Sequence, residues 1–314
     1  MFEIKNPFYP LLSNHLLKST LNLKNQFTIQ MKNQVRFITI SMLVVIIGLG
    51  IASCKKYYVL PAVKPYPKVS ASDSLNSNYK VLILMYHEVV PDTNGDEYDR
   101  SLADFKKDLE FIKSKNYELI SFDDLTKIKN GEKTLKSNAI IISFDDGYSS
   151  DYELAYPELQ QQNMPATFFI VTEWVGRHHR LKWSDVWVMD QFRNNEGQKL
   201  FSIESHTSSH PFLINDSINF PSHEAYLNSL DYEIGESKNF IQDVTSQSTM
   251  WLALPYGNGA YNPQLIKTAK KFGYSGIRTS EPGAFKVNEA NFFALPSFAI
   301  LAGTSINEIQ NYFQ

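Results

Sequence analysis

From Val81 to Ala299 short apolar runs alternate with amphipathic stretches, and that alternation leaves few folds open to the chain. Val81-Leu82-Ile83-Leu84-Met85 is followed by Leu102 to Lys115 and then by Leu119-Ile120-Ser121; the pattern returns in Ala139-Ile140-Ile141-Ile142, Asp151 to Gln162 and Ala166-Thr167-Phe168-Phe169-Ile170-Val171. Further strands are expected at Leu200 to Glu204, Met250 to Leu254, Ser275 to Arg278 and Phe292 to Ala299, and helices at Trp183 to Asn194, His223 to Val244 and Pro263 to Phe272. Strand followed by helix, many times over, means parallel strands with helices outside. About seven strands in roughly 235 residues suit a single α/β domain, a (β/α)7-type barrel, complete or incomplete, spanning residues 80–314.

The N-terminal part reads differently. Phe37 to Ile51 is an apolar run interrupted by Thr39 and Ser41, preceded by Lys32 and Arg36 and followed by Ala52-Ser53-Cys54. It is short of the roughly 20 residues a membrane span needs, and the order basic, apolar, small fits an export signal. Ile51-Ala52-Ser53-Cys54 resembles the bacterial lipoprotein signal, which implies a lipidated Cys54 after a signal segment 1–53; an uncleaved anchor helix is the alternative. Met31-Lys32-Asn33-Gln34-Val35-Arg36 would itself make a conventional basic start. Residues 54–79, with Pro61, Pro65 and Pro67, read as the lipidated cysteine and a tether. The expectation is a domain held at a membrane of the bacterial cell envelope, facing the periplasm or the exterior. Cys54 is the single cysteine, so no internal disulfide can form.

Without the first 53 residues the chain carries 25 basic and 32 acidic side chains, so nothing basic enough for nucleic acid remains. A monomer is expected.

The chemistry lies where strands end. Asp145 and Asp146 follow the run Ala139 to Ser143, His206 follows the strand ending near Glu204, and Leu254-Pro255-Tyr256-Gly257 follows the strand beginning at Met250. His87 falls after the first strand. Barrel enzymes place their active sites at this rim. Two imidazoles and a carboxylate suit Zn²⁺, with Co²⁺, Ni²⁺ or Fe²⁺ also accepted, and leave positions open for water and substrate. His206 and His210 would share one ion if their segment makes a helical turn, which brings such residues to about 5–6 Å at Cβ. Adjacent Asp145 and Asp146 cannot point the same way along an extended backbone, so one can bind metal while the other takes a proton from water. Gly147 allows the tight turn. Asp-Asp-Gly alone is common at turns and H-x-x-x-H alone is weak; their meeting on one rim is what points to metal-assisted hydrolysis.

Between about Lys80 and Arg278 the chain resembles the polysaccharide deacetylases, also called the NodB homology domain or carbohydrate esterase family 4. The resemblance rests on Ser143-Phe144-Asp145-Asp146-Gly147 and on His206-Thr207-Ser208-Ser209-His210 with Pro211 after it. It implies Asp145 as base and Asp146, His206 and His210 as metal ligands. Met85-Tyr86-His87, Lys182-Trp183-Ser184-Asp185, Leu254-Pro255-Tyr256-Gly257 and Phe272-Gly273-Tyr274 resemble the poly-N-acetylglucosamine deacetylase branch. There the early Tyr-His motif supplies the general acid, which makes His87 the candidate; the family's late Leu-x-His motif is missing, Leu295-Pro296-Ser297 being the nearest match. The family's third-motif arginine, which steadies the catalytic aspartate, is replaced by Ala253. The implied reaction is N-deacetylation of acetamido sugars in a polysaccharide, with a backbone N–H near Tyr256, in the turn begun by Pro255, facing the oxyanion. Two other classes remain at this point: a lipid-anchored carbohydrate-binding module that kept the fold and lost catalysis, and a two-carboxylate glycoside hydrolase. Glycosidase carboxylates ordinarily stand about 5–9.5 Å apart across the sugar, which adjacent aspartates suit poorly.

Overall fold

Strands and helices alternate as the apolar pattern requires in the computed structural model, which describes residues 78–314 except 94 and 246. The strands are Val81–Tyr86 (β1), Glu88–Val90 (β2), Asp99–Ser101 (β3), Glu118–Leu119 (β4), Ala139–Phe144 (β5), Ala166–Ile170 (β6), Phe201–Ser205 (β7), Trp251–Ala253 (β8), Gly276–Arg278 (β9), Ala284–Phe285 (β10) and Phe298–Ala299 (β11). β1, β5, β6, β7, β8 and β9 lie side by side in that order, each neighbouring pair parallel. Helices returning the chain between successive strands produce this arrangement. The pairings Tyr86↔Phe144, Phe144↔Phe168, Ile170↔Ser205 and Ala253↔Arg278 bring the strand C-termini to one rim.

Side-chain alternation along each strand sorts the core into two layers. Leu82, Leu84, Tyr86, Ile140, Ile142 and Phe144 pack outward against Phe105, Leu109 and Ile112 of helix Leu102–Ser114. Val81, Ile83, Ala139 and Ile141 point the other way, into a cluster with Phe169, Trp251 and Leu295 that joins strands far apart in the sheet order. That cluster is the interior of a curled sheet. Helix Phe122–Lys129 adds Phe122, Leu125 and Ile128 to it, and enters beside the N-terminal end of β5, where Glu118 pairs with Ala139.

The circle is completed without a continuous strand. Leu295 bridges Arg278 of β9, and three residues later β11 pairs with Leu84 and Met85 of β1. β10 takes the other half of the same β1 edge, antiparallel at Val81 and Leu82. The fold is therefore the incomplete form of the expected barrel. Of the strand expected at Phe292 to Ala299, only Phe298–Ala299 forms, because Pro296 has no N–H for a ladder. The helix expected at His223 to Val244 comes in three parts: an α-helix His223–Leu230, a π-helical turn Asp231–Glu236, and an α-helix Ser237–Thr245. Inside that turn a Cβ on Gly235 would stand 2.4 Å from the Phe272 ring, so only glycine allows the approach.

The expected signal segment, Cys54 and most of the tether lie outside the described residues. Among those described, no helix is long and apolar enough to cross a membrane.

Candidate active site

Four loops at the strand C-termini build the site. β1 and β5 end level, and the Asp145 N–H donates to the Tyr86 carbonyl at 3.0 Å, which sets His87 beside the Asp145-Asp146 turn. Asp146 and Gly147 take left-handed conformations in succession (φ 71° and 69°), and the turn closes through the Gly147 N–H on the Asp145 carbonyl. The His206 N–H donates to the Ile170 carbonyl of β6, extending the sheet by one residue before the chain turns. The segment to His210 is not a helical turn. Thr207 and His210 both have positive φ (69° and 66°), and this bent loop brings the two imidazoles to ring centroids 4.8 Å apart.

Three atoms face a common point. Asp146 Oδ1 lies 3.4 Å from His206 Nε2 and 3.3 Å from His210 Nε2, and the two nitrogens are 3.2 Å apart. Ligands about 2.0–2.1 Å from a tetrahedral zinc-class ion stand about 3.3–3.4 Å from one another. Asp146 Oδ1 is buried without a hydrogen-bond partner, as an atom meant for a cation would be. His206 Nδ1 lies 3.0 Å from the Ala253 carbonyl; donating there, it presents Nε2 as the lone pair. Burial pushes the His206 imidazole down to about 4, despite the opposing pull of Asp145 and Asp146, so the ring is neutral as a ligand must be. Burial works against the Asp146 carboxylate, yet the facing His210 and His206 rings outweigh it and hold the carboxyl well below its usual range. Among the described residues these three form the one such group of potential ligands.

Asp145 is turned to a different partner. Arg278, at the end of β9, places Nη2 2.5 Å from both carboxylate oxygens, and neither residue is more than 2% exposed. Asp145 Oδ2 is also 3.7 Å from His206 Nε2. His87 stands against the Tyr98 ring at 4.7 Å with Nδ1 buried and unpaired. Burial lowers its pKa, and the carboxylates of Asp145 and Asp146 pull it back up.

Aromatic rings wall the opening. Tyr256, at φ 57° in the turn Pro255–Gly257, meets the His210 ring edge-on at 4.6 Å and stacks on Phe212 at 4.0 Å. Trp174 closes the other side of His210 at 4.9 Å, and Arg180 lies between the Trp174 and Tyr148 rings with Nη1 3.9 Å from Asp146 Oδ2. Trp183 lies elsewhere, stacked on Phe240, and His178, His179 and His223 are exposed.

Residues 132–277, which contain both the Asp-Asp and the His-x-x-x-His loops, match the model of the polysaccharide deacetylase family. The chain carries a polysaccharide deacetylase domain. Relatives agree with this. A Bacillus subtilis protein, YxkH, whose name places it among the polysaccharide deacetylases, is 26% identical over 240 residues, 75% of this chain and 76% of its own. The poly-beta-1,6-N-acetyl-D-glucosamine N-deacetylase of Escherichia coli K12 is 24% identical over 226 residues; these span 63% of this chain but only 33% of that protein. In fold, the deacetylase domain is similar to a de-N-acetylase of Aggregatibacter actinomycetemcomitans, with a TM-score of 0.65 at 24% identity over 74% of this chain and 99% of that one.

Within the deacetylase domain the structure brings together every residue singled out on the rim: Asp145, Asp146, His206, His210, His87, Pro255 and Tyr256. Two contributors escaped the sequence reading. Arg278 occupies the place that Ala253 leaves open, one strand further along; its only signal was a lone charge closing an apolar strand. Glu233, which binds the histidine loop, carried no signal within its expected helix.

Proposed function

We propose that the domain is a metal-dependent N-deacetylase acting on a glycan of N-acetylated hexosamines, of the poly-N-acetylglucosamine or peptidoglycan kind. The convergence of Asp146, His206 and His210 beside a carboxylate they leave free carries this reading. Those three would hold the cation, most naturally Zn²⁺, with Co²⁺, Ni²⁺ and Fe²⁺ fitting the same donors. Such an ion, when bound, supplies Lewis acidity at the acetyl carbonyl and eases the ionisation of water. Asp145, oriented by Arg278, accepts the proton of the attacking water as its oxygen bonds to the acetyl carbon. A backbone N–H of the Tyr256 turn faces the developing oxyanion, and Pro255 sets that turn. His87 protonates the departing amine as the carbon–nitrogen bond breaks, leaving acetate and a free amino sugar.

Arg278 weighs against a binding module that has lost catalysis, because the buried Arg278–Asp145 pair replaces the missing third-motif arginine. Support for the substrate class comes from the Escherichia coli relative, of which this chain spans a third. The full-length protein should release acetate from β-1,6-linked N-acetylglucosamine oligomers, lose that activity to a chelator and regain it with Zn²⁺. Asp145→Asn should retain bound metal and lose about 10²–10⁴ in kcat, the usual reach of a general base. Chelator-resistant cleavage of the glycan chain, or full turnover by Asp145→Asn, would refute the reading.

A further inference from the structure

We infer that Glu233 is a positioning residue for the histidine loop, holding Thr207 to His210 in the conformation that aims both imidazoles at one point; the inference rests on the metal reading above. Left-handed conformations are costly for residues other than glycine and persist only where their surroundings over-determine them. This loop contains two, Thr207 and His210, separated by two serines.

The hydrogen bonds identify what holds it. The Ser208 N–H donates to Glu233 Oε2 at 3.0 Å and the Ser209 N–H to the same oxygen at 2.8 Å, while the Ser209 hydroxyl donates to Oε1 at 2.6 Å. One carboxylate thus binds three donors from two of the three residues between the imidazoles. The Ser208 N–H also reaches the Glu233 main-chain carbonyl at 3.1 Å. The rest of the loop is tied locally: Thr207 N–H to Ser205 Oγ, and His210 N–H to Thr207 Oγ1, both at 3.1 Å. On the opposite side, the Thr207 and Ser208 carbonyls accept from the Thr172 and Glu173 N–H groups. Among the described residues, Glu233 supplies the one side chain from another element that hydrogen-bonds Ser208 and Ser209.

Glu233 lies in the π-helical turn Asp231–Glu236. Glu233 is 5% exposed there, and its own carbonyl accepts the Ser237 hydroxyl, which in turn meets Ser205 Oγ at 2.7 Å. Helix, β7 and loop are joined through the Glu233 carboxylate and the Ser237 hydroxyl. π-turns recur at functional sites, and this one sets an acid under a strained loop.

Zn²⁺ titrated calorimetrically into the metal-free, full-length protein tests this, with the Co²⁺ absorption spectrum as a second readout of ligand geometry. Glu233→Ala should weaken Zn²⁺ binding about 10–100-fold, as outer-shell losses do. Glu233→Gln keeps an oxygen at the reach of Oε2 and should bind within a few-fold of wild type. Glu233→Asp keeps the charge but is one methylene short, and should bind as poorly as Glu233→Ala with an altered Co²⁺ spectrum. This pair of variants decides the matter even where Glu233→Ala fails to fold. Wild-type affinity in Glu233→Asp, or a Gln variant no better than the Asp one, would overturn the inference. Absence of any Zn²⁺ affinity in the wild type that His206→Ala removes would instead overturn the metal reading and take this inference with it.

Discussion

Asp145 and Asp146 are adjacent, yet their surroundings divide them: Asp146 faces two imidazoles and Asp145 faces a guanidinium. The motifs made this division legible, because two neighbouring carboxylates at a strand end must diverge. They could not name Arg278. It lies 133 residues from Asp145 in sequence, and only the barrel's curl brings β9 across to β5. Removing one member of a buried ion pair leaves the other charge without compensation and costs about 3–5 kcal/mol. Arg278→Ala should therefore lower stability by that order and, with the proposed base no longer oriented, lower kcat for acetate release toward the level of Asp145→Asn. Arg278→Lys, which keeps the charge and loses the planar fork, should recover part of the stability and little of the rate. Thermal unfolding and single-turnover acetate release measure the two effects separately; an Arg278→Ala protein with wild-type turnover would detach Arg278 from the chemistry.

Between elements, one joint is held more by a side chain than by the ladder. β7 and β8 share a single register pair, Ser205↔Leu252, but Glu204 Oε2 accepts the N–H groups of Met250 and Trp251 at 2.8 and 2.9 Å. Burial raises the Glu204 carboxyl to about 8 against the opposing effect of those N–H groups, so the native group holds its proton at neutral pH. The unfolded chain ionises near 4.5, so between that value and about 8 the native state binds a proton the unfolded state does not. Stability from this group is full below the lower value and is lost as pH rises through the upper one. Glu204→Gln removes the titration, so its Tm relative to wild type should climb between pH 5 and pH 8, by about 2–4 °C for each kcal/mol the native proton is worth. Parallel curves for the two proteins would place the raised pKa in doubt. Sequence pattern located these elements to within a residue or two, since β7 begins on an apolar–polar alternation and β8 is an apolar run, with helices between. It missed helix Phe122–Lys129, although Ser121 and Asp124 form a capping box that the spacing allows. It also missed the π-turn, which depends on Phe272 packing against Gly235 and not on local propensity.

For the whole molecule, strand count and direction were readable because each parallel strand needs its own crossover, and those crossovers are long enough to carry a pattern. Closure was not, because the segment after β9 pairs in fragments. Its anchor lies in a buried network. Arg100 binds Asp108 through Nε at 2.9 Å and Nη2 at 2.6 Å, and its Nη1 donates to the carbonyls of Leu301, Ala302 and Thr304. Asp108 also accepts the Tyr86 hydroxyl at 3.1 Å, so the network that pins the closing segment pins the end of β1, one residue before His87. The proposed metal loops follow β5 and β7, and their link to this network is indirect, through the Asp145 N–H on the Tyr86 carbonyl. Arg100→Ala should therefore cost about 3–5 kcal/mol, a fall of roughly 10 °C in Tm. Below its melting point the variant should keep wild-type Zn²⁺ affinity while kcat falls, because the displaced group is the proposed proton donor to the amine and not one of the proposed ligands of the ion. Metal affinity falling in step with kcat would mean that the closing segment shapes the entire rim, and that the two halves of the site cannot be disturbed separately.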